Sequence, residues 1–467
     1  MSTISQNPAY PPRPVVDRTA LPPGPPEWPV VGQAFQYLFN LLPFIHGAAT
    51  YGDLVTLSVK PTLVYLVNHP DLVQELFVTN HRRVGRGRTV ETLQYLLGYG
   101  LVTSDGPLHL RQRRLMQPQF HHRRIGGYAE TMTAFAGRHM EVWEDEARID
   151  LAGEMSDLTL KIVVKTLFDL ELPDTVRRIG AAFELANDYI KVRDNQPPAL
   201  RSLFHRLPLP FTRRFRRGLA YLDQTVYGLI AERRRHGLES EDLLSLLLNA
   251  RDEEANDPSE AVMTDQQVRD EAITLFAAGH ETTAMALTWT WYLLATHPDV
   301  QARFHAELDD ILGGRTPTPE DLPNLTFTGR VLTESMRLYP PIWSTGRMTF
   351  EPITLGGYDI PAGAFVIAPP LVIHRDPRWF DDPLAFHPDR WTAEFKEQLP
   401  RFAYYPFGGG PRVCIGDGFA WMEAMLILAT LGQKWAMRHD PGHRIELLPL
   451  VSLRPKDGMP MFLERRR

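Results

Sequence analysis

Cys414 is the only cysteine among 467 residues, so no disulfide can close within the chain, and a reducing compartment suits it. A solitary cysteine is ordinarily a small buried hydrophobe. The neighbours of this one argue for more. Phe407, Gly408, Gly409, Gly410, Pro411, Arg412, Val413, Cys414, Ile415 and Gly416 form a glycine-rich loop with an arginine close before the thiol. A second grouping lies upstream, where Ala278, Gly279, His280, Glu281, Thr282 and Thr283 set an acid beside a hydroxyl, just after two small residues. An adjacent carboxyl and alcohol can relay protons. The third grouping, Glu334 and Arg337, has the spacing of many ordinary surface ion pairs on a helix. By itself it says little.

Together these segments resemble the cytochrome P450 family. Phe407, Gly410, Arg412, Cys414 and Gly416 fall at the spacing of that family's cysteine-ligand loop, and the Glu281–Thr282 segment is similar to its oxygen-handling motif. Glu334 and Arg337, followed by Phe386, His387, Pro388, Asp389 and Arg390, resemble its buried charge network. The motifs occur in family order, and the resemblance covers nearly the whole chain.

The resemblance implies haem b (heme b, iron protoporphyrin IX) with Cys414 as the metal ligand, since a thiolate pushes electron density to iron and favours O–O cleavage. The loop glycines would let the backbone approach the porphyrin and aim N–H groups at sulfur, and Phe407 would keep water from it. Arg412, His109 and Arg113 are implied for the two haem propionates, with Arg347 a weaker partner. Many relatives carry Trp where this chain has His109. Ala278 and Gly279 would leave room for dioxygen, Glu281 would pass protons inward, and Thr282 would hydrogen-bond at the oxygen site. Thr283 is expected to back-bond to its helix, and His280 to be structural or solvent-side. Glu334, Arg337 and Arg390 are expected to lock the core without touching substrate.

These groups need a scaffold that holds a helix over a loop. The longest helical pattern opens at Thr264, where Gln267 completes a capping box, and runs to His297 before Pro298 stops it. Further helical patterns cover Gly127–Leu170, Asp174–Val192, Phe211–Arg235, Phe327–Tyr339 and Gly416–Trp435. Residues 54–67 read as a hairpin, Pro70–Phe77 as the start of a helix, and short β-like runs follow Pro340-Pro341 and fill the last thirty residues. The fold class is thus mainly α with smaller β sheets (α+β). The resemblance sharpens it to a P450 fold with a long central helix over the haem. We expect a flexible tail over 1–20 and one P450 domain over 21–467. Residues 195–212 fit a mobile flap, a membrane-touching surface or a plain connecting loop.

Composition narrows the partners. A net charge of -6 and scattered arginines do not suggest nucleic acid, and no apolar run suits a signal peptide or a stable membrane span. A cytoplasmic protein is expected. With one cysteine there is no iron–sulfur cluster site, and the length leaves no room for a reductase beside a P450 fold. Electrons are expected from a separate ferredoxin or flavodoxin with its NAD(P)H-dependent reductase, docking near Arg111, Arg114, Arg123 and Arg124. The resemblance places substrate contacts in Arg88–Leu101 and at Phe276, Ala277, Ile342, Trp343, Ser344 and Met459. These mostly apolar groups fit a hydrophobic small molecule such as a fatty acid, terpene or steroid. The expected activity is a monooxygenase inserting one atom of O2. The Glu281–Thr282 pair weighs against peroxide-using or rearranging branches and against a haem sensor.

Overall fold

Apolar periodicity and end signals fix the helices that surround the site. They are α1 (Glu91–Leu97), α2 (Gly106–Met116), α3 (Leu151–Phe168), α4 (Pro173–Asp194), α5 (Pro210–His236), α6 (Asp265–Thr296), α7 (Thr326–Leu338) and α8 (Asp417–Gly432). The computed structural model describes residues 11, 20–27, 32–59, 62–171, 173–194, 207–236, 242–254 and 261–466. Nearly all of the expected tail, and residues 195–206 of the expected flap, lie outside them.

Helix α6 has 32 residues, and Thr264 caps it as the sequence predicts: its hydroxyl accepts the Gln267 N–H while the Gln267 side chain accepts the Thr264 N–H. At about 1.5 Å per residue it runs roughly 48 Å. A helix that long crosses the molecule. Its second half is apolar nearly all round, with Trp289 and Trp291 fully buried, because α3, α7 and α8 enclose it. Trp289 stacks on Tyr339 at 4.4 Å and donates to the Leu453 carbonyl at 2.9 Å.

The strands are β1 (Leu54–Val59), β2 (Thr62–Val67), β3 (Val84–Gly85), β4 (Arg148–Asp150), β5 (Thr345–Thr349), β6 (Phe365–Ala368), β7 (Trp435–His439), β8 (Leu447–Pro449), β9 (Leu453–Pro455) and β10 (Pro460–Arg465). A five-stranded sheet runs β1-β2-β6-β5-β3. Its hairpin pairs Leu54 with Val67, and β2 then joins β6 in parallel, Val64 facing Phe365. This sheet carries Arg347 on β5. A second sheet joins β4, β10 and β7, and β8 pairs with β9 as a short hairpin.

Two expectations on elements are corrected. The helical pattern over Gly127–Leu170 is split, because Ile149 pairs with Met461 and draws residues 148–150 into a strand. The final helix ends at Gly432, and Trp435 instead opens β7 against Arg465. Among the described residues no helix is long and apolar enough to cross a membrane.

Candidate active site

The cysteine loop is pressed into shape by its neighbours. Gly410 has a positive φ of 67°, and a Cβ there would sit 2.1 Å from the Phe77 carbonyl oxygen, so only glycine fits. The Cys414 N–H donates to the Phe407 carbonyl at 2.9 Å, and Arg113 Nη1 braces the Val413 carbonyl at 2.8 Å. Helix α8 starts three residues later. The cysteine side chain opens onto a cavity, yet that cavity lies deep in the protein. Burial therefore pushes the thiol up to about 11, against a Gly416 N–H bond and the Arg113 charge that favour the thiolate.

The cavity has a volume of about 570 Å³ and a largely apolar wall. Ala278, Gly279, Glu281 and Thr282 of α6 line it together with Cys414 and Phe407. Ala278 is open to it, whereas a Cβ on Gly279 would come within 3.1 Å of Val163 Cγ2, so that glycine also lets α6 approach α3. Thr282 Oγ1 donates to the Ala278 carbonyl at 2.6 Å, and Thr283 back-bonds to Gly279 as expected. His280 is buried, with Nδ1 2.8 Å from the Phe276 carbonyl, so the structural expectation fits and the solvent-side one does not.

Glu281 is the surprise among these groups. Expected to pass protons inward, it is bound by Arg454, Ser452 and Asn187, none of which sequence reasoning singled out.

One edge of the cavity is cationic. Arg347 on β5 is buried, stacks 4.4 Å over Phe77, and donates to the Gly346 carbonyl at 2.9 Å and the Thr345 hydroxyl at 3.2 Å. Burial pushes its guanidinium well below the usual range, and repulsion from Arg86 and Arg412 outweighs attraction to Asp105. His109 is pushed down to about 3 by burial and by Arg412, Arg113, Arg86 and Arg347. It is neutral here. Arg412 Nη2 donates to Asp105 at 2.5 Å, and Asp105 also accepts the N–H groups of Arg86 and Gly87. Arg86 and Asp105 were not foreseen, because their partners are far away in sequence.

The expected charge network assembles in full. Glu334 takes two bonds from Arg337, both at 2.8 Å, and one from Arg390 at 2.9 Å. The His387 N–H and Trp391 Nε1 complete its shell. Burial pushes this carboxyl up, but Arg337 and Arg390 more than reverse the effect and hold it low.

The substrate positions divide. Ala277, Ile342, Trp343 and Ser344 line the cavity, as do Val90, Leu93, Leu97 and Leu101 from the expected Arg88–Leu101 stretch. The side chain of Arg88 lies outside the described residues. Phe276 is not in the wall: it packs between Phe168 and Phe183, with ring centroids 5.0 and 5.6 Å away. Met459 is fully buried in the core around α6. Its place in the wall is taken by the turn between β8 and β9, residues Leu450, Val451 and Ser452. Helix α4 adds Phe183, Asn187 and Ile190.

Of the expected docking arginines, Arg114 is engaged by Asp252 at 2.8 Å and Glu254 at 2.6 Å, and Arg111 donates to the Val262 carbonyl at 2.9 Å. Arg124 is exposed, and the side chain of Arg123 lies outside the described residues.

A cysteine loop and an oxygen-motif helix on opposite walls of a deep cavity define the class of haem-thiolate enzymes. The chain belongs to the cytochrome P450 family, whose model matches residues 22–459. It is 39% identical over 427 residues to cyclooctatin synthase of Streptomyces melanosporofaciens, covering 91% of this chain and 92% of that one. Pentalenene oxygenase of Streptomyces avermitilis is 35% identical over 427 residues, covering 91% of this chain and 93% of its own. The crystal structure of the cytochrome P450DA heme domain superposes with a TM-score of 0.85 at 28% identity, covering 95% of this chain and 98% of the other. The protein is a monooxygenase that uses haem b and O2 on a hydrophobic small molecule, with electrons from a redox partner.

The residues present suit that cofactor. Haem b brings two carboxylates to an edge where buried Arg347 sees more positive than negative charge. It brings iron to a thiol that burial alone would keep protonated.

Proposed function

We propose that this enzyme hydroxylates a cyclised terpenoid at the cavity between Cys414 and Thr282. The observation that carries the reading is the cavity itself: one deep apolar space whose wall includes the thiol, the small residue Ala278 and the acid–alcohol pair. Away from the cysteine loop its wall is largely apolar, with Val90, Leu93, Leu97, Leu101, Ala277 and Ile342, which suits a compact polycyclic skeleton. Relatives named for reactions on pentalenene and on cyclooctat-9-en-7-ol favour a terpenoid over a fatty acid or steroid. The overall reaction takes a C–H bond, O2, two electrons and two protons to an alcohol and water.

Bound haem, held through Cys414, supplies O–O cleavage and oxygen transfer to carbon. The chain supplies the rest. The Gly416 N–H and Arg113 favour the thiolate over the thiol. Arg347, Arg412, Arg113 and neutral His109 would hold the propionates, whose negative charge would offset the repulsion of Arg347 by Arg86 and Arg412. Thr282 Oγ1 donates its proton to the Ala278 carbonyl, so its lone pairs would be free to accept a hydrogen bond at the oxygen site. Glu281, whose carboxylate Arg454 and Ser452 hold, is the acid of the proton route to that site, and the apolar wall keeps bulk water out. Glu334, Arg337 and Arg390 stiffen the core behind the cysteine loop. A cytoplasmic ferredoxin or flavodoxin with its reductase delivers the electrons; exposed Arg124 can attract an acidic partner, whereas Arg114 is already neutralised.

A reduced carbon-monoxide difference spectrum tests the ligand: a strongly red-shifted thiolate-type Soret band is expected, and a histidine- or thiol-type band in intact protein would sink the mechanism. Pentalenene should displace distal water and shift the ferric spin state, while fatty acids should not. Thr282→Ala should consume reductant at a comparable rate but divert most of it to hydrogen peroxide. Full product yield from that variant would remove the threonine from the proton route.

A further inference from the structure

A buried cation needs a counter-charge, because leaving water costs more than hydrogen bonds to neutral groups return. Among the described residues four arginines and no lysine are buried: Arg193, Arg269, Arg337 and Arg347. Arg269 pairs with Asp223 at 2.6 Å and Asp270 at 2.9 Å, and Arg337 pairs with Glu334 at 2.8 Å. Arg347 stands at the edge that suits the haem carboxylates. Arg193 is left over. It is 5% exposed, and among the described residues no carboxylate meets it.

Arg193 is the penultimate residue of α4. Its Nη1 donates to the Thr92 hydroxyl, its guanidinium carbon lies 4.8 Å from the centre of the Tyr95 ring, and its Nε–H is buried with no acceptor. Both partners belong to α1, and both are neutral. A ring face and one hydroxyl offset only part of a full charge. The planar fork of an arginine binds a carboxylate through two parallel N–H groups, and here the Nε edge of that fork is not engaged.

Position decides which anion belongs there. Ile190, one turn earlier on α4, lines the cavity, and so do Leu93, Leu96 and Leu97 of α1. Arg193 therefore stands at the seam where these two helices close the apolar wall. It is not part of the cationic edge, where the charges acting on His109 and Arg347 include Arg86, Arg412 and Asp105 but not Arg193. The haem carboxylates are thus not its anion. A diphosphate carries more charge than one guanidinium matches, and the surplus would be buried unpaired. A single carboxylate matches it.

We propose that Arg193 binds a carboxylate on the substrate, so that the enzyme takes a terpenoid acid, its polycyclic skeleton against the apolar wall and its carboxylate at the seam of α1 and α4. The proposal rests on reading the cavity as the site of terpenoid hydroxylation. The carboxylate adds to the skeleton and does not replace it: a fatty acid offers the anion without the rigid rings that fill the wall. An arginine kept for this purpose costs the folded chain stability, and the return comes only with the bound acid.

The test is a ferric spin-shift titration of the haem-loaded enzyme near neutral pH, where carboxylic acids are ionised. The probes are tricyclic sesquiterpene and diterpene acids, each paired with its methyl ester. Wild type should bind the acids roughly tenfold to a hundredfold more tightly than the esters, the range of a charge-assisted hydrogen bond. Arg193→Met should abolish that preference by weakening the acids alone, and Arg193→Lys should keep part of it. With no probe added, Arg193→Met should unfold at the wild-type temperature or above, because a buried charge is removed and no partner charge is stranded. Esters bound as tightly as acids by wild type overturn the proposal and leave the terpenoid reading standing. A wild type that shows the thiolate-type carbon-monoxide band but responds to neither acids, esters nor pentalenene overturns that reading and the proposal with it. Should Arg193→Met unfold far below wild type, Arg193→Gln decides, since it can still donate to Thr92 without the charge. Loss of the acid preference then supports the proposal; its persistence makes Arg193 a strut between α1 and α4 and overturns it.

Discussion

Two clusters of arginine, one around Glu334 and one around Arg347, differ in how their charge is met. Around Glu334, the carboxylate takes five donors, and Arg337 spends its remaining N–H groups on the carbonyls of His374, Pro383 and Ala385. That cluster is complete within the chain. Around Arg347, positive charge exceeds negative, and burial presses the guanidinium toward neutrality. The same residue types make a structural lock where donors and acceptors balance and a receptor for anions where they do not.

The contrast breaks most visibly at Glu334. Replacing it with Ala strands two guanidiniums in the core and should cost about 3–5 kcal/mol, equally with and without haem, by urea denaturation. An effect confined to the haem-loaded enzyme would erase the distinction between the clusters. Arg347→Leu should do the opposite. The haem-free protein should be as stable as wild type or more so, while haem transfer to an acceptor protein speeds up roughly tenfold to a hundredfold, the worth of a charged hydrogen bond of about 1.5–3 kcal/mol. A destabilised apoprotein would mean that the surplus charge is satisfied internally.

The smallest effect concerns pH. His109 is pushed from 6.5 to about 3 in the folded chain, so the unfolded chain takes up its proton first as pH falls. Its contribution to stability is whole above about 6.5 and is lost progressively below that value. Propionates beside His109 raise its folded value, so the acid loss between pH 6.5 and 4 should be shallower in the haem-loaded protein than in the haem-free one. Parallel slopes would place the propionates elsewhere.

The sequence was most legible where function demands contiguous residues. The cysteine loop and the Thr264–Gln267 cap are local, and both stand where the spacing puts them. The Glu334 network also emerged, because each of its three charged members sits in a recognisable segment. Faces were harder. Phe276 and Ala277 are neighbours on α6, but a helix turns about 100° per residue, so one enters the core and the other the cavity. Long-range partners were invisible: Arg454 reaches Glu281 across 173 positions, and Arg412 reaches Asp105 across 307. No local pattern marks an ordinary arginine as the counter-charge of a distant acid. The strand at Arg148–Asp150 was missed for the same reason, since its partner in β10 lies at the far end of the chain.

The register of the large sheet also bears on how the protein is made. Strand β2 leaves the ribosome as half of a hairpin, but its other edge pairs with β6 only after about 300 further residues have been synthesised. Until then, hydrophobic strands from the opening of the chain present an open edge to other nascent chains. The cationic edge matures on the same late schedule, because Arg347 rides on β5 beside β6. Expression at low temperature or with chaperones in excess should therefore raise the yield of active enzyme more than any gain in final stability would.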